Sequence, residues 1–155
     1  MKSKTGTIFL AGLIAGTLDI LAAIFFYAIL FQKTTAIKIL QSIASAVFKK
    51  ETYTGGPQMA WYGLGFHFLI AMIFAWFYFT IYPHISFLKR NVIFSGFVYG
   101  IFVWVVMNLI VLPIAFPVLP AKSLDFALIL SVLILIFCIG LPIAFIARKY
   151  YSLNR

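Results

Sequence analysis

Residues 91–112 read NVIFSGFVYGIFVWVVMNLIVL, and no charged side chain interrupts them. At 1.5 Å per residue a helix of this length covers about 33 Å, enough for the ~30 Å hydrocarbon core of a bilayer. A barrel strand would alternate apolar and polar residues over about ten positions, whereas this stretch is apolar all round. It reads as a transmembrane helix. Three further stretches, 7–31, 58–82 and 125–146, have the same character. Together they predict an all-α polytopic membrane protein, a four-transmembrane-helix bundle forming a single integral membrane domain over residues 1–155.

Composition agrees. Of 155 residues, 65% are hydrophobic and 10% charged, with mean hydropathy +1.12, against about 25% charged in soluble domains. The formal charge is +9. The basic residues flank apolar runs and carry no zinc-ligand spacing, recognition helix or aromatic RNA motif, so membrane lipid headgroups, not nucleic acid, are the expected partner. The single cysteine, Cys138, excludes an intrachain disulfide. The first run follows Lys2 and Lys4 as a signal peptide would. It is too long for one and contains Asp19, so it is read as a retained span.

Four spans put Lys2, Lys4, Lys89, Arg90, Arg148, Lys149 and Arg155 on one side and Lys33, Lys38, Lys49, Lys50 and Lys122 on the other. The positive-inside rule then favours both termini in the cytoplasm. Tyr53, Trp61, Tyr62, Tyr78, Tyr82, Tyr150 and Tyr151 lie near the borders and suit interfacial belts, while Trp104 falls mid-span. Between spans one and two, residues 35–50 gather Lys38, Gln41, Ser42, Ser45 and Lys49 on one face and Ala36, Ile39, Leu40, Ile43 and Val47 opposite. This predicts an amphipathic helix. It either lies flat in the membrane interface, the favoured reading, or packs over the outer mouth of the bundle as a lid. Gly55, Gly56 and Pro57 form a turn into span two. Pro113, Pro117 and Pro120 should end span three, Ser123 and Asp125 should start span four, and Pro142 should kink it.

Lipid provides no hydrophobic drive between helices, so association needs small residues and polar contacts. Gly12 and Gly16 precede Asp19 on span one, Gly63 precedes His67 on span two, and Gly96 and Gly100 precede Asn108 on span three. Each polar residue follows its glycines along one helical face, so Asp19, His67 and Asn108 should point into the bundle. A carboxylate at bilayer centre costs at least about 2.5 kcal/mol, so Asp19 should be protonated, paired or hydrated. His67 is the ionisable group at comparable depth, and the two are expected to form a ligand or proton pair. An interhelical hydrogen bond is the plainer alternative. Burial and mutual attraction act oppositely on such a pair, so the sign of its titration stays open.

No HExxH, CxxC, GxSxG or Walker spacing occurs, so no metal, cofactor or catalytic residue is expected. His84 reads as a solvated interfacial histidine. A lipid-modifying enzyme working near Lys49, Lys50 and Glu51 is the least favoured class. A transport path through four spans would call for a homo-oligomer.

The stretches ILQSIAS at 39–45, GLGFHFLIA at 63–71, YGIFVWVVMNLIVLP at 99–113 and GLPIAFIARK at 140–149 resemble a widespread family of small, uncharacterised four-span bacterial inner-membrane proteins. Their layout is distantly similar to the YagU type. The resemblance covers nearly the whole chain. It implies a bacterial inner membrane and four spans, and carries over no active-site residue.

Overall fold

Asn91 begins the helix whose sequence decides the fold. Its side-chain oxygen accepts from the Ile93 and Phe94 amides at 3.0 and 3.2 Å, meeting two donors that a helix start leaves without partners. Thr35 does the same for the short helix before span two, accepting from Lys38 N. The computed structural model describes residues 3–116 and 126–153. Its elements are α1 (Lys4–Leu30), α2 (Ala36–Phe48), a 3₁₀ turn (Lys49–Tyr53), α3 (Gly56–Ile81), the short α4 (Ser86–Arg90), α5 (Val92–Ala115) and α6 (Phe126–Leu153). No strand occurs among the described residues. Helices α1, α3, α5 and α6 are each long and apolar enough to cross a membrane. The chain is an all-α multi-pass membrane protein. The first residues of α1 and the last of α6 lie at one end of the bundle, here the terminal end; α2 lies at the other.

One proline expectation needs correction. Span three does not stop at Pro113, because α5 runs through it to Ala115. A proline has no N–H and its ring presses on the carbonyl four residues back. The π turn Val106–Val111 lies immediately before it, and Leu112 N bonds to Met107 O, five residues back, which widens the helix where the ring must fit. Pro142 is treated alike: the π turn Ile136–Gly140 precedes it and Leu141 N bonds to Ile136 O. Pro117, Pro120, Ser123 and Asp125 fall outside the described residues.

Glycines set the crossings. A Cβ on Gly12 would meet Met72 Cα at 2.8 Å, and one on Gly16 would meet the Phe68 ring at 2.9 Å, so α1 and α3 touch nearly backbone to backbone. On the other side a Cβ on Gly96 would meet Leu141 Cα at 2.9 Å, and a Cβ on Gly100 would run into the Ile136 backbone. Gly140 on α6 completes this crossing by lying against the Gly96 carbonyl. Gly63 does not face the other spans: the backbone of α2 at Leu40 and Ala44 occupies the space its side chain would fill.

Gly63 is thus the notch that receives α2. The helix packs on α3, with Gln41, Ala44 and Ser45 buried and Ile37 and Val47 exposed. Its expected polar face is split, because Gln41 turns inward to donate to Gly56 O at 3.0 Å while Lys38 and Ser42 stay outside. Buried amides need a partner, and the Gly56 carbonyl has a second lone pair with which to accept.

The core lies toward the terminal end, around Ala11, Ala15, Tyr78, Phe79, Tyr99, Ile143 and Ala147. Tyr78 and Tyr82, expected in a belt, are buried here. Their phenols and those of neighbouring tyrosines join helices: Tyr99 donates to Phe74 O at 2.6 Å, Tyr151 to Phe79 O at 2.7 Å, and the Tyr78 hydroxyl bonds that of Ser95. Tyr82 and Tyr151 stack at 4.9 Å. Tyr53, Trp61 and Tyr62 are exposed, as belt residues would be. Replacing Gly140 by Val should destabilise the fold by about 1–3 kcal/mol or abolish it, as overpacking does. Gly65→Ala, with nothing within 4 Å of the added carbon, should be neutral or slightly stabilising. Thermal unfolding in detergent followed by circular dichroism checks both.

Candidate functional site

Asp19 lies eleven residues before the end of α1 and His67 eleven residues after the start of α3. The two helices run in opposite directions, so both side chains sit about 16 Å from the α2 end. The Gly16 crossing lets them meet. His67 Nε2 donates to the Gly16 carbonyl at 2.8 Å, and the same nitrogen is 3.9 Å from Asp19 Oδ2. A carbonyl only accepts, so Nε2 carries the hydrogen and Nδ1 is the nitrogen left to take up a proton. Gly16 O can accept from the ring beyond its own helix bond because a carbonyl has two lone pairs.

The side chains of His67 and Asp19 keep 13% and 19% of their surface. They stand at the border of the packed core. Beyond them, toward the α2 end, no residue of Ile24–Leu30 or Val106–Ala115 is buried. Cys138, half-buried in the π turn of α6, lies within electrostatic reach of Asp19. An acid and an imidazole therefore meet where tight packing gives way to looser packing.

Asn108 goes elsewhere. Its Nδ2 donates to the Trp104 carbonyl at 2.9 Å, back along α5, and the Trp104 indole donates to Ser131 Oγ at 2.8 Å. This makes an α5–α6 polar seam, separate from the α1–α3 pair. Gly12 and Gly16 lie beneath the pair, whereas Gly96 and Gly100 serve the α5–α6 crossing. His84 is exposed in the α3–α4 turn.

Lys49 has a role that its place on a polar face did not suggest. Its ammonium donates to Ala46 O at 3.2 Å and to Ala115 O at 3.1 Å, so it caps the C-termini of α2 and α5 together. The residue holds φ 55°, a left-handed backbone unusual for a side chain this long. Glu51 is exposed in the adjoining turn. Among the described residues no group of three or more His, Cys, Asp or Glu side chains is placed to hold a metal ion.

No protein-family model, characterised protein or solved structure matches the chain. Nitrogen-15 NMR of His67 in the neutral state should show the Nε2–H tautomer. A ring protonated at Nδ1 alone would contradict the bond to Gly16 O.

Proposed function

We propose that this is a small bacterial inner-membrane protein, with both termini cytoplasmic, that binds or passes a proton or small polar ligand through Asp19 and His67. The resemblance to four-span inner-membrane proteins and the excess of basic residues on the terminal side support the location. One observation carries the activity: a carboxylate deep in a span sits 3.9 Å from an imidazole, with both groups partly accessible and no closer hydrogen-bond donor to it among the described residues.

A charged carboxylate in hydrocarbon is costly, so this acid gains by accepting a proton, by pairing, or by contact with a cationic ligand. His67 supplies the second proton site. With Nε2 bonded to Gly16 O and 3.9 Å from Asp19 Oδ2, protonation at Nδ1 would place an imidazolium beside the acid. The pair can thus hold one proton in two arrangements, on the acid or on the ring. This is the minimum a relay needs.

The shorter of the two His67 contacts favours a second reading. At 2.8 Å the bond to Gly16 O is the better one, and its role would be to fasten α3 to α1 in a non-catalytic structural or accessory subunit. Interhelical hydrogen bonds in membranes are worth about 0.6–2 kcal/mol, enough to favour a pairing.

Infrared difference spectroscopy of the protein in lipid nanodiscs, stepped between about pH 5 and pH 8, separates the readings, since an unperturbed imidazole titrates within that window. A carboxyl band that changes reversibly, disappears in Asp19→Asn and shifts its midpoint in His67→Gln supports a proton site. If no carboxyl band responds while His67→Phe lowers thermal stability, the pair only joins helices.

A further inference from the structure

A second feature of the α1–α3 contact is independent of the acid–imidazole pair. Gly12 holds the two backbones together at Met72. Past it, toward the terminal end, larger side chains stand off from one another and leave a groove of about 250 Å³ lined by Thr5, Ile8, Phe9, Met72, Ile73 and Trp76. Phe9, Ile73 and Trp76 are each more than half exposed. The groove is apolar along its length and polar only at its rim.

The rim offers hydrogen-bond donors and a positive charge. The Thr5 hydroxyl and the Trp76 indole N–H have no protein acceptor among the described residues, and exposed Lys4 has no ion pair there. Trp76 lies five residues before the end of α3, about 8 Å deep, where tryptophan sits at the boundary of headgroup and acyl chain. The chain has three acids: Asp19 lies mid-span, and Glu51 and Asp125 fall in the sequence beside the opposite end. The terminal end, by contrast, carries Lys4, Lys89, Arg90, Arg148 and Lys149. An apolar trough opening on uncontested donors and positive charge is complementary to one class of molecule.

We propose that this groove binds an anionic glycerophospholipid, one acyl chain lying in the trough and the phosphate meeting Lys4 and Thr5. Lys4 can extend its apolar stem along the helix while its ammonium reaches the headgroup. A free phosphate ion would use the rim and ignore the trough. A zwitterionic lipid would fill the trough but bring its own cation to a basic rim.

Tryptophan fluorescence of the detergent-solubilised protein, titrated with brominated phosphatidylglycerol and brominated phosphatidylcholine, tests this. Phosphatidylglycerol should quench at about a fivefold lower mole fraction, the preference that one basic residue confers near an anionic surface. The difference between the two lipids should vanish in Trp76→Phe, leaving only the quenching of exposed Trp61 that both share. Lys4→Gln should remove the preference while phosphatidylcholine quenching persists, Thr5→Phe should weaken quenching by both lipids, and Lys38→Gln, at the other end, should change nothing. Inorganic phosphate should not reverse the quenching. Equal quenching by the two lipids, a preference unchanged in Lys4→Gln, or displacement by phosphate alone would each overturn the proposal. Circular dichroism of each variant confirms that it is folded.

Discussion

The contact of α1 with α3 at Gly16 is the constraint from which the rest follows. The absent side chain lets Phe68 and Ala71 close on the α1 backbone, and the exposed carbonyl then receives His67. A larger residue would shield that oxygen and push the helices apart. In lipid, where apolar surface gains little by pairing, such close approach is what holds helices together. The same approach brings an acid and an imidazole to one depth. Packing and chemistry share one position on the chain.

Much of this was legible in the residues. Long uncharged runs specify helices, because a bilayer leaves the backbone no other partner than itself. The glycine spacing on spans one and three located both crossings, and the depth of Asp19 and His67 followed from the helical rise. The failures are equally physical. The face of α2 was assigned from polarity, but Gln41 and Ser45 are small or bonded enough to be buried, and the contact is decided by the notch at Gly63 on another helix. Asn108 shares a stripe with Gly96 and Gly100, yet its amide is served by a carbonyl one turn away. A stripe tells which way a helix turns, not which neighbour waits there. Tyr78 and Tyr82 looked like belt residues because border position was read without knowing where the core would sit. Gly140, unmarked by any glycine spacing, emerges only once α5 and α6 are set side by side.

The π turns also belong to the sequence, though at longer range than a proline is usually given. Pro113 and Pro142 each follow a widened turn, so the helix adjusts ahead of the ring and continues. Ile24–Leu30 has the same widened form with no proline after it, and it lies just beyond Asp19. Of the three, two end at a proline, and two, Ile24–Leu30 and the turn carrying Cys138, adjoin the acid. Backbone irregularity and ionisable groups thus cluster in the same part of the bundle, away from the tyrosine-linked core.

Lys49 sets two demands against each other. Its main chain takes a conformation that glycine adopts most easily, yet its side chain ties together two helix ends that glycine could not reach. Relaxing the turn would therefore free the end of α5, and keeping the tie means accepting a strained hinge. One residue thus joins a turn of the main chain to a tie between two helix ends, and glycine could supply the first but not the second.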